Sequence, residues 1–352
     1  MAGIINFPTA TPEEMMSINE VVFANVVKDG DLSTLVDLRE GVKTGDRVAW
    51  VNPLTMIGKA SSGCEPRTDN PTAALVEKKW DLQEFDVRIV TCYKDVEEIL
   101  YELGLRDGVL RGDISGTDYA TFLDSLMSTA LDKMYKRFTW FGDKEAANVA
   151  DGGDILDGVD VDFFNVIDGV FKQIATMIAD GEDVVVTAIA ANTKATYALQ
   201  MSEVWDPIAN LTSVILNANP QIDSETDQVV YVSRFYMNKL KAKMLSLPQY
   251  TESQFSKNEQ GYATVQFLGH TIVQMNEWDE QIKANIQNGV IYNKPFRALY
   301  TTKRNLKVGV PSMSTFMGLN AWYEKKERQY YIEAMDKLDC IVMMPELISI
   351  GW

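Results

Sequence analysis

Between two strand-like segments of this chain runs a stretch without periodicity, Asn52 to Ala74, reading NPLTMIGKASSGCEPRTDNPTAA. Before it, Asp46–Val51 (DRVAWV) alternates apolar and polar side chains, the pattern of a half-buried strand. After it, Leu75–Trp80 and Phe85–Cys92 resume strand character. Unstructured connections longer than about 12–15 residues are uncommon inside a compact domain. This one offers little apolar surface against an ordering entropy of about 1–2 kcal/mol per residue. It is therefore either disordered or held by something outside its own domain. With strands on both sides it is expected to form an extended hairpin that projects from the body and orders on a neighbouring molecule. Met56, Ile57, Lys59 and Arg67 are its candidate contact residues.

The strongest helix signal follows it. Tyr119, Phe122, Leu123, Leu126, Met127, Ala130, Leu131, Met134 and Phe138 fall at steps of three and four. Thr117 is the expected cap, and Lys133, Lys136 and Arg137 lie near the end, where cations suit the helix dipole. From Asp118 to Trp140 the helix is expected to run roughly 35 Å. A second amphipathic helix is read from Phe164 through Ile167, Val170, Phe171, Ile174, Met177 and Ile178, stopping near Gly181. Val184–Ile189 reads as a buried strand, 195–216 as a helix, and Val229–Val232 as a strand leading into a helix at Arg234–Leu247. Further strands are expected at Ala263–Leu268, Thr271–Met275, Ala298–Thr302, Leu306–Val310, Gln329–Ala334 and Cys340–Ile350. Helices and strands alternate, which implies an α+β or α/β body carrying long extensions. The first 40 residues begin polar and irregular, with a short amphipathic stretch from Ile18 to Val27. They read equally as a frayed terminus or as an arm across a neighbour.

Composition narrows the chemistry. Apolar residues are 46% and charged residues 24% of 352, enough for a large core. No apolar run reaches the roughly 20 residues of a membrane helix, and the N-terminus lacks the pattern of a signal peptide, so a soluble protein made in a cytoplasm is expected. Three widely spaced cysteines (Cys64, Cys92, Cys340) read as reduced structural thiols. The single histidine, His270, sits between two strand-like segments without a nucleophile motif and reads as structural. A net charge of −17 counts against a nucleic-acid reader, whose footprint is basic. The 7 Trp, 14 Tyr and 14 Phe are dispersed and read as core rather than as a base-stacking platform. Asp151, Asp154, Asp157, Asp160 and Asp162 invite a calcium reading. Their spacing by threes and the missing twelfth-position glutamate depart from an EF-hand loop, and a solvated turn with helix caps fits better. The pairs Asp95/Glu98 and Glu97/Glu98 have no partner acid or base. No phosphate-loop, dinucleotide, nucleophile-elbow or zinc-protease motif occurs, so no catalytic residue, cofactor or metal is assigned.

Taken in order, the elements resemble the major capsid proteins of tailed phages with the Hong-Kong-97-like fold. Phe138-Thr139-Trp140-Phe141-Gly142-Asp143 resembles the aromatic-rich Gly-Asp turn that closes that family's spine helix. Gln228–Leu240 is similar to its apical strand-then-helix, Leu268–Val273 to a small turn before a strand, and Tyr331–Ala334 with Cys340–Ile348 to its closing strands with a Pro-Glu dipeptide. The resemblance implies an α+β fold with an N-terminal arm (1–44) and an extension loop (45–90) lying over a neighbour. A peripheral domain would hold the spine helix (91–155 and 296–338), and an apical domain the remainder (156–295 and 339–352). It implies a non-enzymatic subunit that self-assembles into hexamers and pentamers of an icosahedral shell, built in a bacterial host cytoplasm. The shell would enclose double-stranded DNA without sequence-specific binding. Portal, decoration and scaffolding proteins would be further partners, with no membrane involved. Two alternatives stay open: an encapsulin-type compartment of the same fold, and a soluble metal-dependent enzyme using the Asp-rich region 151–162.

Overall fold

A computed structural model describes residues 32–51, 75–92, 118–248, 255–257, 263–312, 320–324 and 326–352. In chain order the first elements are α1 (Leu32–Leu35), β1 (Asp37–Arg39), β2 (Arg47–Val51), β3 (Leu75–Lys79), β4 (Gln83–Cys92) and α2 (Asp118–Phe141). Then come α3 (Val170–Ala179), β5 (Val185–Thr187), α4 (Tyr197–Ser202), α5 (Pro207–Leu216), α6 (Pro220–Ser224), β6 (Gln228–Ser233) and α7 (Arg234–Leu245). They are followed by β7 (Phe255–Lys257), β8 (Ala263–Phe267), β9 (His270–Met275), α8 (Asn276–Ala284), β10 (Ala298–Thr302) and β11 (Leu306–Gly309). The chain closes with β12 (Asn320–Glu324), β13 (Gln329–Val342) and β14 (Ile348–Gly351).

These strands form a seven-stranded sheet in the order β5-β14-β10-β6-β9-β8-β7 and a five-stranded sheet β1-β11-β13-β12, with β4 also paired to β13. A separate ribbon joins β2 to β3. The central strand β6 reads QVVYVS, a nearly continuous apolar run, because both faces of the sheet are covered there. Val229 and Tyr231 enter one core with α2, α3 and α8; Val230 and Val232 enter a second core beneath α5 and α7. The mixed helix-and-sheet body expected from the alternating pattern is thus present.

The long helix α2 starts at the expected residue and ends one residue later than expected. Met127, Leu131, Met134 and Phe138 of its apolar stripe are buried, as are Tyr135, Trp140 and Phe141. Its end is locked by aromatic packing: the Trp140 and Phe171 rings each lie 4.9 Å from Trp278, and Tyr231 lies 5.6 Å from Trp140. Such edge-on pairs add about 0.5–1.5 kcal/mol each beyond their burial. The Gly-Asp turn has a steric reason. Gly169 N donates to Gly142 O at 2.9 Å, and a Cβ on Gly169 would lie 2.7 Å from Phe138 O. Only glycine admits that backbone approach.

The structure corrects several expectations. No basic residue occupies the last turn of α2, so the dipole does not explain its cations. Lys133 pairs with Glu280 at 2.7 Å, Lys136 with Asp132 at 2.7 Å and Glu277 at 3.4 Å, and Arg137 Nε donates to Phe163 O at 2.9 Å. Phe164 and Ile167 are buried but precede α3, which begins only after Gly169. Residues 195–216 are two helices, because Pro207 opens α5 and Asp206 accepts from Ile208 N and Ala209 N as its cap. The 184–189 segment shortens to β5, an edge strand and only partly buried. The two strands expected within 329–350 become the single 14-residue β13, then a 3-10 turn at Pro345–Leu347 and β14. The helix α8 and the strands β1 and β12 went unread. β10 belongs to the seven-stranded sheet, Cys340–Val342 pairs with β11 in the other, and β4 pairs with β13 over Gln83–Cys92.

The N-terminal stretch Ile18–Val27, the 52–74 loop with Met56, Ile57, Lys59, Arg67 and Cys64, the carboxylates Asp95, Glu97 and Glu98, and Thr117 lie outside the described residues. Cys92 is an exposed free thiol and Cys340 a buried one; burial holds the Cys340 thiol well above the usual range.

Candidate assembly surfaces

The root of the 52–74 loop is the ribbon β2–β3, closed at its outer end by the pair Val51 and Leu75. Strand alternation divides it into two faces. Val48, Trp50 and Val76 turn inward and pack on the second core. Arg47, Ala49, Val51, Leu75, Glu77 and Lys79 face outward, with Arg47 and Glu77 paired at 2.8 Å. The ribbon therefore rests one face on the body, while the stretch expected to project, 52–74, lies outside the described residues. Its outer end still shows two large apolar side chains: Val51 is 60% and Leu75 58% exposed.

A clamp fixes this root. Trp80 is buried; its N donates to Asp46 O at 2.9 Å and its O accepts from Gly45 N at 2.8 Å. Its ring lies over Gly309, where a Cβ would meet Trp80 Cζ3 at 2.8 Å. Lys78 Nζ donates to Val342 O at 2.7 Å, and Asp81 N donates to Asp339 Oδ2 at 2.8 Å. Burial pushes the Asp339 carboxyl up to about 6 against the opposing hydrogen bonds from Asp81 N and Cys340 N. The ribbon thus sits on a fixed base, with Val51 and Leu75 at its outer end.

A second outward surface lies on β4–β13–β12. Trp322 stacks on Tyr331 at 5.4 Å, Arg88 sits 4.9 Å over the Tyr331 ring, and Met335 is exposed. More apolar side chains reach solvent around α4, where Tyr197 N donates to Val290 O at 2.9 Å; Val204 beyond it is 95% exposed.

The Asp-rich region is a rigid loop. Asn148 Nδ2 donates to Leu156 O at 3.0 Å and Val159 O at 2.9 Å, and Ile155 is buried beneath. Asp157 accepts from Ala150 N at 2.9 Å and Asp160 from Asp162 N at 3.0 Å, so these carboxylates serve the backbone. Among the described residues, no three His, Cys, Asp or Glu side chains gather as metal ligands. His270 lies edge-on to Tyr300 at 5.2 Å, with Nε2 4.0 Å from Asp223, and Tyr300 donates to Asp223 and Gln228. That arrangement ties β9, β10 and α6 together.

No family model matches the sequence, and no curated protein does. Solved structures match along nearly the whole chain. A structure from Gordonia phage Cozz is 9% identical with a TM-score of 0.53, covering 100% of this chain and 98% of its own. The capsid of the cyanophage P-SCSP1u is 12% identical with a TM-score of 0.52, covering 96% of this chain and 91% of its own. The capsid of a native GTA particle is 9% identical with a TM-score of 0.50, covering 95% and 93%. The chain has a phage capsid-protein fold.

Within that capsid fold, sequence reasoning missed the clamp of Trp80, Gly309, Lys78 and Asp339, whose partners are hundreds of residues apart. One signal was legible: Val51 and Leu75 occupy the same register face as charged neighbours, which marks them as outward apolar positions.

Proposed function

We propose that this chain is the shell subunit of a phage capsid with the Hong-Kong-97-like fold. The observation that carries this reading is correspondence with phage capsid structures over essentially the full length of both chains. The five-stranded sheet with α2 would be the peripheral part, the seven-stranded sheet with α5 and α7 the apical part, and the stretch ahead of α1 the arm; the arm expected over 1–44 is shortened because Leu32, Leu35 and β1 belong to the body. The loop rooted on β2–β3 would lie over a neighbour, with Met56, Ile57, Lys59 and Arg67 in contact. Subunits would close into hexamers and pentamers around double-stranded DNA, held without sequence-specific contacts, as suits a chain of net charge −17. Portal, scaffolding and decoration proteins would be its other partners. Obligate interfaces often bury more than about 2,000 Å², and the outward apolar residues of the ribbon and of β12–β13 would contribute to that area.

Electron microscopy of the expressed full-length chain tests the proposal. Closed icosahedral particles are expected; a population of monomers alone would sink it. Nuclease-protected duplex DNA in particles from infected cells would separate a virion shell from an encapsulin-type compartment.

A further inference from the structure

The helix α7 reads RFYMNKLKAKML and carries Arg234, Lys239, Lys241 and Lys243 with no acidic residue, although the chain has 50 acidic and 33 basic residues. Arg234 and Lys283 line a cavity of about 220 Å³ together with Phe235, Asn238 and Asn276. Asp279 and Glu280 border it too, and Asp279 lies near enough to feel the charges of both Lys283 and Arg234. Asp279 accepts from Arg234 N at 2.6 Å and Phe235 N at 2.9 Å, capping α7, and Glu280 is paired with Lys133 at 2.7 Å. Lys283 rides 4.8 Å over the Phe235 ring. Among the described residues, neither Arg234 nor Lys283 has a salt-bridge partner. Lys241 is held below its usual range by burial and by the nearby Arg234, which marks cations crowded together.

The same molecule carries the opposite charge in fixed form elsewhere. Asp151, Asp157, Asp160 and Asp162 are exposed, and none is in a salt bridge among the described residues. The loop that presents them is braced by Asn148 and by Leu156 N donating to Asn285 O at 2.8 Å, so little entropy would be lost on docking. The Arg234 and Lys283 side of this cavity and a stiff acidic loop at a different position on the chain are complementary in charge.

Resting on the shell-subunit reading, we propose that the α7–α8 cavity, through Arg234 and Lys283, receives the acidic loop 151–162 of a second copy of this chain. The contact is head-to-tail, the geometry that closes subunits into rings. Charge complementarity there sets register and partner choice.

The test is a charge swap in the full-length chain. Arg234→Glu/Lys283→Glu and Asp151→Lys/Asp162→Lys are each expected to lower shell yield at least tenfold, with far-ultraviolet circular dichroism showing retained fold. Combining all four substitutions in one chain, which makes every contact complementary again, is expected to restore particles. Arg234→Ala/Lys283→Ala, which adds no repulsion, is expected to assemble more slowly and with steeper salt dependence than the wild type. Folded double variants that assemble at the wild-type rate, or a folded fourfold variant that fails to recover, would overturn the contact. Normal shells that lose only DNA retention in the Arg234→Glu/Lys283→Glu variant would also overturn it and assign the patch to nucleic acid. A wild-type chain that forms no shells would instead remove the shell-subunit reading itself.

Discussion

Gly309 has no side chain where the Trp80 ring passes, and the base of the 52–74 loop depends on that contact. A methyl group there would displace a buried indole, so Gly309→Ala is expected to cost about 1–3 kcal/mol and lower the unfolding midpoint measured by circular dichroism. Two buried carboxyls give the fold a pH dependence. Burial pushes Asp279 up to about 7 and Asp339 up to about 6 from the ordinary 3.8 of an aspartate, with backbone N–H groups opposing the shift in both. Each binds its proton more tightly in the folded chain than in the unfolded one. Their stabilising contribution is complete below about pH 4 and is lost as pH rises through about 6 and then about 7. Asp279→Asn, which keeps an acceptor for one α7 N–H, is expected to flatten the change in urea-unfolding free energy between pH 5 and 8 by on the order of 1–3 kcal/mol. Unchanged pH dependence in that variant would show that Asp279 does not titrate there. Neither carboxyl was singled out in the sequence, since Asp279 meets α7 and Asp339 meets Asp81 only after folding.

Elements with a local code were legible and those defined by distant partners were not. The stripe of α2 announced itself because Met127, Leu131, Met134 and Phe138 reach the core at steps of three and four. β13 read as two strands because Met335, Asp336 and Lys337 interrupt the apolar pattern where the strand turns to solvent, although its pairing with β4 continues without a break. The Asp206-Pro207 stop that divides 195–216 was present in the sequence, but the apolar periodicity on either side masked it. The cations of α2 are the clearest case of a right position with a wrong cause. Lys136 is only 1% exposed and is held between Asp132 and Glu277, stitching α2 to α8. Lys136→Met leaves Glu277 buried without its cation and is expected to cost about 3–5 kcal/mol. Adding Glu277→Leu is expected to recover much of that loss, a non-additivity read from a double-mutant cycle of denaturation free energies.

At the scale of the whole molecule, the shell-subunit reading predicts that residues 52–74 serve assembly and not the folding of the body. The ribbon β2–β3 packs its own inner face, its strands are antiparallel, and Val51 and Leu75 form its last pair. A two-residue Asn-Gly turn suits that geometry. Replacing residues 52–74 by Asn-Gly is therefore expected to leave the unfolding midpoint of the isolated subunit within a few degrees of the wild type. If the loop finds its partner on a neighbour, the same replacement removes contacts repeated across every subunit boundary, and shells seen by electron microscopy are expected to be absent or to dissociate at much lower denaturant. A shortened chain that is itself unfolded would place the loop in its own core instead. A shortened chain forming shells of ordinary resistance would deny the loop any part in assembly, leaving the charged α7–α8 cavity and the exposed face of β12–β13 to hold neighbouring subunits together.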